Sequence, residues 1–259
     1  QTMIELIDVH KTFDGNEVLK GISTTFEEGK TNLIIGQSGS GKTVLMKSVI
    51  GLHQIEQGKI LYDGRNIPNM NSGQLRELRK EMGMLFQGSA LFDFMPVLKN
   101  VMFPLEMFSN MTQKEKEERA KFCLQCVSLD PSCFNLYPSE ISGGMQKRVA
   151  IARAIALKPR YLFCDEPNSG LDPFTSLGID RLIHDITVEF NMITVVNTHD
   201  MNSVMEIGDN IVFIRKGHKE WQGSSANIFN SGNQYLDEFV FASNLNKKIK
   251  QANDLIMNN

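Results

Sequence analysis

The sequence predicts an α/β fold: a mostly parallel sheet, an antiparallel β region at the N-terminus, and a helical lobe inserted into the middle of the chain. Three observations carry this expectation. Short apolar runs alternate with helix-like stretches between residues 31 and 50 and again between 161 and 208, the pattern of parallel strands joined by crossover helices. Two strand-like runs at 4–9 and 18–26, separated by the turn cluster Asp14-Gly15-Asn16, precede them. From about residue 88 to 156 the periodicity turns helical and strand signals fade.

The elements follow in order. Glu28-Gly29-Lys30 turns the chain into a buried-type strand at 31–35. A glycine-rich loop then opens a helix over 42–50, which Gly51 closes. A strand at 58–62 ends on Asp63-Gly64, Ser72 is positioned to cap a short charged helix through Arg79, and 84–86 returns to strand. Thr112 and Glu115 form a capping-box pattern for a helix running to about Leu129, with Pro131 beyond. A further helix starts near Gly143 and stops before Pro159. Residues 161–164 read as strand, and Asp172-Pro173 starts a helix that runs to about Phe190. A strand at 193–197, a short helix ending at Gly208 and a hairpin around Lys216-Gly217 complete the alternation. From about Gln234, apolar Tyr235, Leu236, Phe239 and Val240 followed by a lysine-rich end read as an amphipathic helix that needs a partner surface.

Composition narrows the function classes. The 259 residues are ample for a sizeable core, and 41% hydrophobic with 22% charged residues is globular. A net charge of −3 argues against a general nucleic-acid binder. No apolar run approaches the roughly 18 residues of a membrane span, and no secretory leader opens the chain, so Met3 behind Gln1 and Thr2 reads as the start of a cytosolic protein. Cys123 and Cys126 form a CxxC, but a zinc site needs a second ligand pair where only Cys133 follows; these cysteines and Cys164 read as small buried hydrophobes.

Gly36-Gln37-Ser38-Gly39-Ser40-Gly41-Lys42-Thr43 fits G-x-x-x-x-G-K-[ST] between a strand and a helix, the setting of a phosphate-binding loop. The glycines let successive N–H groups turn inward, and the helix N-terminus adds its dipole. Lys42 would reach the β- and γ-phosphates and the Thr43 hydroxyl would ligate Mg²⁺. Asp165, emerging from an apolar strand, is placed to hold Mg²⁺, and Glu166 beside it to polarise a water. A guanine-specific N-K-x-D is missing: Asn246-Lys247 has Ile249 where Asp is required.

Ile141-Ser-Gly-Gly-Met-Gln-Lys-Arg148 resembles the signature sequence of ABC transporter ATPases, normally Leu-Ser-Gly-Gly-Gln. The remaining motifs stand in the family's order. Phe13 matches the adenine-stacking aromatic, Gln87 the glutamine that opens the helical lobe, Asp165-Glu166 the Walker B pair, Ser169-Gly-Leu-Asp172 the D-loop and His199 the switch histidine. The resemblance implies a P-loop NTPase (RecA-like) core over about 1–87 and 158–232 and a helical lobe over 88–157. Together these form a single ATPase domain, 1–232, with 233–259 as a C-terminal tail. It implies ATP and Mg²⁺ as ligands, with Ser142, Gly143, Gly144 and Asp172 completing the nucleotide site across a head-to-tail homodimer. Glu166 would act as base, His199 would contact the γ-phosphate, and Gln87 would couple Mg²⁺ and water to the lobe.

Met145 stands for the usual Gln and Ile141 for Leu, and Ser142-Gly-Gly-Met145 resembles the signature of the subfamily serving Mla and other MCE-type lipid transport systems. Gln87-Gly-Ser-Ala-Leu-Phe-Asp93 and Asn100-Val-Met-Phe-Pro-Leu105 resemble it too. The implied function is ATP-driven phospholipid transport through a separate membrane permease, with an MCE-domain protein in the complex and no nucleic acid. The subunit would sit peripherally on the cytoplasmic face of the inner membrane. The alternatives are the same engine on an amino acid, metal or lipoprotein, and a soluble ABC ATPase outside transport. The apolar run Ala90, Leu91, Phe92, Phe94 and Met95 is expected to supply part of a groove for the permease. Lys147, Arg148 and Arg153 are read either as reaching toward a partner's nucleotide or as a solvated helix face, and His53 as surface or structural.

Overall fold

The computed structural model describes residues 3–241. Strands β1 (Met3–Phe13) and β2 (Asn16–Glu27) form the first hairpin; β3 (Thr31–Ile35) leads to helix α1 (Lys42–Val49), and β4 (Gln57–Tyr62) to β5 (Arg65–Asn66), α2 (Ser72–Lys80) and β6 (Met82–Leu85). Helices α3 (Val97–Phe108), α4 (Gln113–Cys126) and α5 (Gly143–Ala154) make the helical lobe. The chain then runs through β7 (Tyr161–Asp165), α6 (Pro173–Glu189), β8 (Ile193–Asn197), α7 (Met201–Ile207), β9 (Asn210–Arg215), β10 (His218–Gly223) and α8 (Gln234–Val240).

Three hairpins turn on two residues of the form Xaa-Gly: Asp14-Gly15, Asp63-Gly64 and Lys216-Gly217. Both residues of each turn have φ between 47° and 84°, the geometry whose twist matches that of the flanking strands. The first two build an antiparallel sheet of order β2-β1-β4-β5; the third adds β10 to the edge of the central sheet, β10-β9-β3-β8-β7-β6. Within that sheet the pairs from β9 to β6 are parallel.

β3 and β8 are buried throughout, so alternate residues serve two cores. Ile34, Tyr161, Phe163, Val195 and Val212 pack toward the antiparallel sheet and α1. Leu33, Ile35, Leu162, Cys164, Val196 and Phe213 pack the other way, in one continuous cluster with buried residues of α3, α4, α5, α6 and α7. The helical lobe therefore shares a core with the central sheet.

Three local boundaries differ from the sequence expectation. Asn71, not Ser72, caps α2: its side chain accepts from Gln74 N and the Gln74 side chain accepts from Asn71 N, closing a capping box. α4 stops at Cys126 because Ser128 adopts φ 55°, letting Leu129 N reach back to Leu124 O in a cap normally made by glycine. β6 starts at Met82 because Gly83 lies inside the strand, where a Cβ would come within 2.4 Å of Ala154 O. Of the expected C-terminal amphipathic tail, residues 242–259 lie outside the described residues.

The helices over the outer face are joined by a buried acid. Asp180 on α6 is 1% exposed and accepts from Asn168 Nδ2 at 2.7 Å and from Ser203 Oγ of α7 at 2.8 Å. Burial pushes its carboxyl up to about 6 from an ordinary 3.8. The folded chain thus binds this proton more tightly than the unfolded chain, and the group's contribution to stability falls as pH rises from about 4 to 6. Asp180→Asn keeps an acceptor for Asn168 and removes the titration. Relative to the native chain, this variant should gain stability, on the order of 2 kcal/mol, between pH 4.5 and 7.5 in urea unfolding. A stability difference that does not change with pH would contradict it.

Candidate active site

The site forms where β3, β7 and β8 end side by side. Parallel register sets Ile34 level with Asn197 and Asp165 level with Asn197, so the loop after β3 meets the side chains at the ends of β7 and β8. Gly36 begins that loop at φ 150°, and a Cβ there would sit 2.2 Å from Ile214 O, so only glycine fits. Gly217 N donates to Ser40 O at 3.0 Å, pinning the loop to the β9–β10 hairpin. Gly41, at φ 109°, starts α1 with no side-chain cap, leaving the first N–H groups of the helix available to an anion. Gln37, Ser38, Gly39 and Ser40 also line a small cavity, about 190 Å³, beneath Tyr235, Glu238 and Phe239 in the α8 region.

Lys42 is 7% exposed, and its ammonium donates to Gly36 O at 2.9 Å and Gln37 O at 3.1 Å. Burial holds its pKa below the ordinary lysine value, against the opposing pull of Glu166 and Asp165. Thr43 and Asp165 are bridged by a residue that no motif announces: Asn197 Nδ2 donates to Asp165 Oδ1 at 2.7 Å and lies 3.4 Å from Thr43 Oγ1. Glu166 takes a left-handed backbone, φ 46°, at the turn that leaves β7. Its N–H donates to Asn197 O at 2.9 Å, and its Oε1 lies 2.9 Å from His199 Nδ1. Lys42, Thr43, Asp165, Glu166 and His199 are therefore brought together as the sequence predicts.

The remaining expected residues form a second group. Gln87 Nε2 donates to Ser169 Oγ at 3.0 Å, and Gln87 O accepts from Lys147 Nζ, so the glutamine bonds the D-loop and α5 rather than Thr43 or Asp165. Ser142 caps α5, its Oγ accepting from Met145 N, with Gly143 and Gly144 as the first helical residues. A Cβ on Gly144 would come within 2.6 Å of Thr175 Cγ2, so this glycine lets the signature turn seat against α6. Asp172 caps α6, accepting from Phe174 N and Thr175 N, and the hydrogen bond from Thr175 holds its carboxyl below the usual range. Met145 and Ile141 are partly buried and pack against the lobe core.

Three basic residues depart from both readings of the sequence: they fasten the lobe internally. Besides Lys147 on Gln87 O, Arg148 donates to Val127 O at 2.8 Å and Arg153 to Ser89 O and Ala90 O. Phe13 is 37% exposed, with His53 edge-on at 5.2 Å between ring centroids and the Lys11 ammonium 4.8 Å from its ring. His53 thus braces the expected adenine platform, a role that its place in the sequence does not signal.

The donor set fits a nucleotide phosphate with a hard divalent cation. A carboxylate and a hydroxyl stand together at Asp165 and Thr43, a buried cation lies beside them, and two buried acceptors, Ser40 Oγ and Asn197 Oδ1, lack partners among the described residues.

The chain is 39% identical over 212 residues to the methionine import ATP-binding protein MetN of Clostridium tetani, covering 82% of this chain and 66% of that protein. It is 33% identical over 237 residues to the probable ribonucleotide transport ATP-binding protein mkl of Mycobacterium leprae, covering 92% and 68%. The chain thus spans about two thirds of the length of these curated relatives. Among solved structures, the dimeric ATP-binding cassette MJ0796 bound to ADP and Pi matches with TM-score 0.76 at 30% identity, over 86% of this chain and 98% of that one. The cbiO1 chain of Clostridium perfringens, part of the ABC transporter complex cbiONQ, matches with TM-score 0.83 at 25% identity, over 97% and 98%. Residues 19–169 match the family described as ABC transporter, and the chain belongs to that family as an ATP-binding domain.

Proposed function

We propose that this chain hydrolyses ATP as the engine of an ABC transporter. The observation that carries the reading is Glu166, held by a left-handed backbone and by His199 beside the buried Lys42. Lys42 and the loop N–H groups neutralise phosphate charge, which is most of what phosphoryl transfer requires of a protein. Thr43 and Asp165 would hold Mg²⁺, which would supply charge neutralisation to the phosphates. Glu166 then takes the proton of the attacking water while His199 keeps its carboxylate in place.

The signature turn of one chain lies on the lobe, and its Ser142 hydroxyl and helix N-terminus form a second anion site. A head-to-tail homodimer in which each signature turn closes over the other chain's ATP uses both sites. Asp172 at the D-loop end, and Gln87 through Ser169, stand between the two. Here the Gln87 side chain donates to the D-loop serine, so its approach to the ion and water would belong to the closed dimer.

A groove of about 720 Å³ between the lobe and the α2–β6 segment is lined by Phe86, Phe92, Phe103 and Phe108 together with Arg76 and Arg79. A lining of aromatic and cationic side chains suits a short amphipathic helix of a permease. No helix among the described residues is long and apolar enough to cross a membrane, so this groove would hold the chain peripherally at the membrane's cytoplasmic face.

For the cargo, the MetN relatives at 36% to 39% identity support an amino acid more than a phospholipid. The Ser142–Met145 signature and the two lobe segments that resemble Mla-type subunits are the specific observation for phospholipid, with an MCE-domain protein in the complex, as the second reading. Affinity capture from detergent-solubilised native membranes, with mass spectrometry of proteins and lipids, separates them. A permease with an MCE-domain protein and phospholipid supports the second reading, and a permease with an amino-acid-binding partner the first.

Glu166→Gln should retain ATP affinity and ATP-dependent dimerisation while turnover falls about 10²- to 10⁴-fold, measured by phosphate release and light scattering. Turnover at the native rate would remove Glu166 as the base. Phe108, 53% exposed, tests the groove without disturbing the core. Phe108→Asp and Phe92→Asp should both lose permease capture and keep ATP binding, and unaltered capture would place the permease elsewhere.

A further inference from the structure

We propose that Asn197 is a positioning residue that sets how tightly this site holds its divalent ion, by keeping Asp165 and Thr43 in one arrangement. The inference rests on the ATPase reading above. β8 has the sequence Ile-Thr-Val-Val-Asn and is buried along its length, and Asn197 itself is 1% exposed. The amide ends a strand whose other inward residues are apolar, at the point where β3, β7 and β8 meet.

Its orientation follows from chemistry. An ionised carboxylate only accepts hydrogen bonds, so the atom 2.7 Å from Asp165 Oδ1 is the amide nitrogen, and the same nitrogen faces Thr43 Oγ1 at 3.4 Å. Asn197 Oδ1 is then buried and has no donor among the described residues. Leucine has nearly the same shape and would fill the space without an orphaned acceptor, so packing does not account for an asparagine here. A neutral amide fixes one oxygen of Asp165 without cancelling its charge, as lysine or arginine would, and so keeps the carboxylate fully available to a cation. Groups that orient a metal's ligands in this way change affinity about 10- to 100-fold when removed.

The test uses the Glu166→Gln chain, which separates binding from turnover, with a fluorescent ATP analogue titrated in chelator and again at fixed nucleotide against Mg²⁺. In this background Asn197→Leu should raise the half-saturating Mg²⁺ concentration about tenfold, with affinity for the analogue in chelator changed less than about twofold. Asn197→Ser keeps a hydroxyl donor and should recover most of the Mg²⁺ affinity, which also covers the case in which the leucine variant fails to fold. Two results overturn the inference alone: native Mg²⁺ dependence in both variants, or equal loss of nucleotide binding with and without Mg²⁺. Failure of the parent chain to bind the analogue under either condition would overturn the ATPase reading as well.

Discussion

Everything at this site depends on keeping a cation out of water without neutralising it. The Lys42 ammonium is almost fully buried, which is unfavourable for an isolated charge, and two loop carbonyls and two nearby carboxylates offset that penalty. The loop can present those carbonyls only because Gly36 passes within touching distance of Ile214 and because the β9–β10 turn donates to Ser40. A low-dielectric pocket then strengthens every charge directed into it, which is the physical basis of phosphate binding and of phosphoryl transfer.

From this centre, hydrogen bonds run outward in two directions. One passes from Thr43 and Asp165 through Asn197 to Glu166 and His199, so the ends of three neighbouring strands act as a unit. The other passes from the loop after β7 to Asp180 and on to α7, and from Ser169 through Gln87 and Lys147 into the lobe. Because the lobe also shares its apolar cluster with one face of the central sheet, movement of α5 against α6 disturbs both polar and apolar contacts. Shared packing of this kind gives a change at a phosphate a route into the lobe.

Relatives and residues inform the cargo question differently. The residues proposed for nucleotide chemistry belong to this chain, in two groups: one at the ends of β3, β7 and β8, the other at the signature turn of the lobe. On the reading proposed above, the cargo would be specified by the permease that binds the groove of Phe86, Phe92, Phe103 and Phe108. Phe94, at 73% exposed, extends that apolar surface beyond the groove itself, and Met107, at 59%, lies on α3 near it.

The sequence by itself determined the elements whose causes are local. The Thr112–Glu115 box, the Asp172 cap, the three Xaa-Gly turns and the phosphate loop each act over a few residues, so their patterns could be read directly. Where the local signal was atypical the reading slipped: Asn71 beside Ser72 at a helix start, Ser128 in a glycine's conformation, Gly83 inside a strand. Tertiary structure alone decided the contacts between residues distant in sequence. Asn197 meets Thr43 and Asp165, His53 braces Phe13, Asp180 joins two helices, and Lys147, Arg148 and Arg153 point into the lobe. Each role depends on strand order and helix packing, which no local pattern encodes, and a polar side chain reveals its partner only when the fold brings the two together.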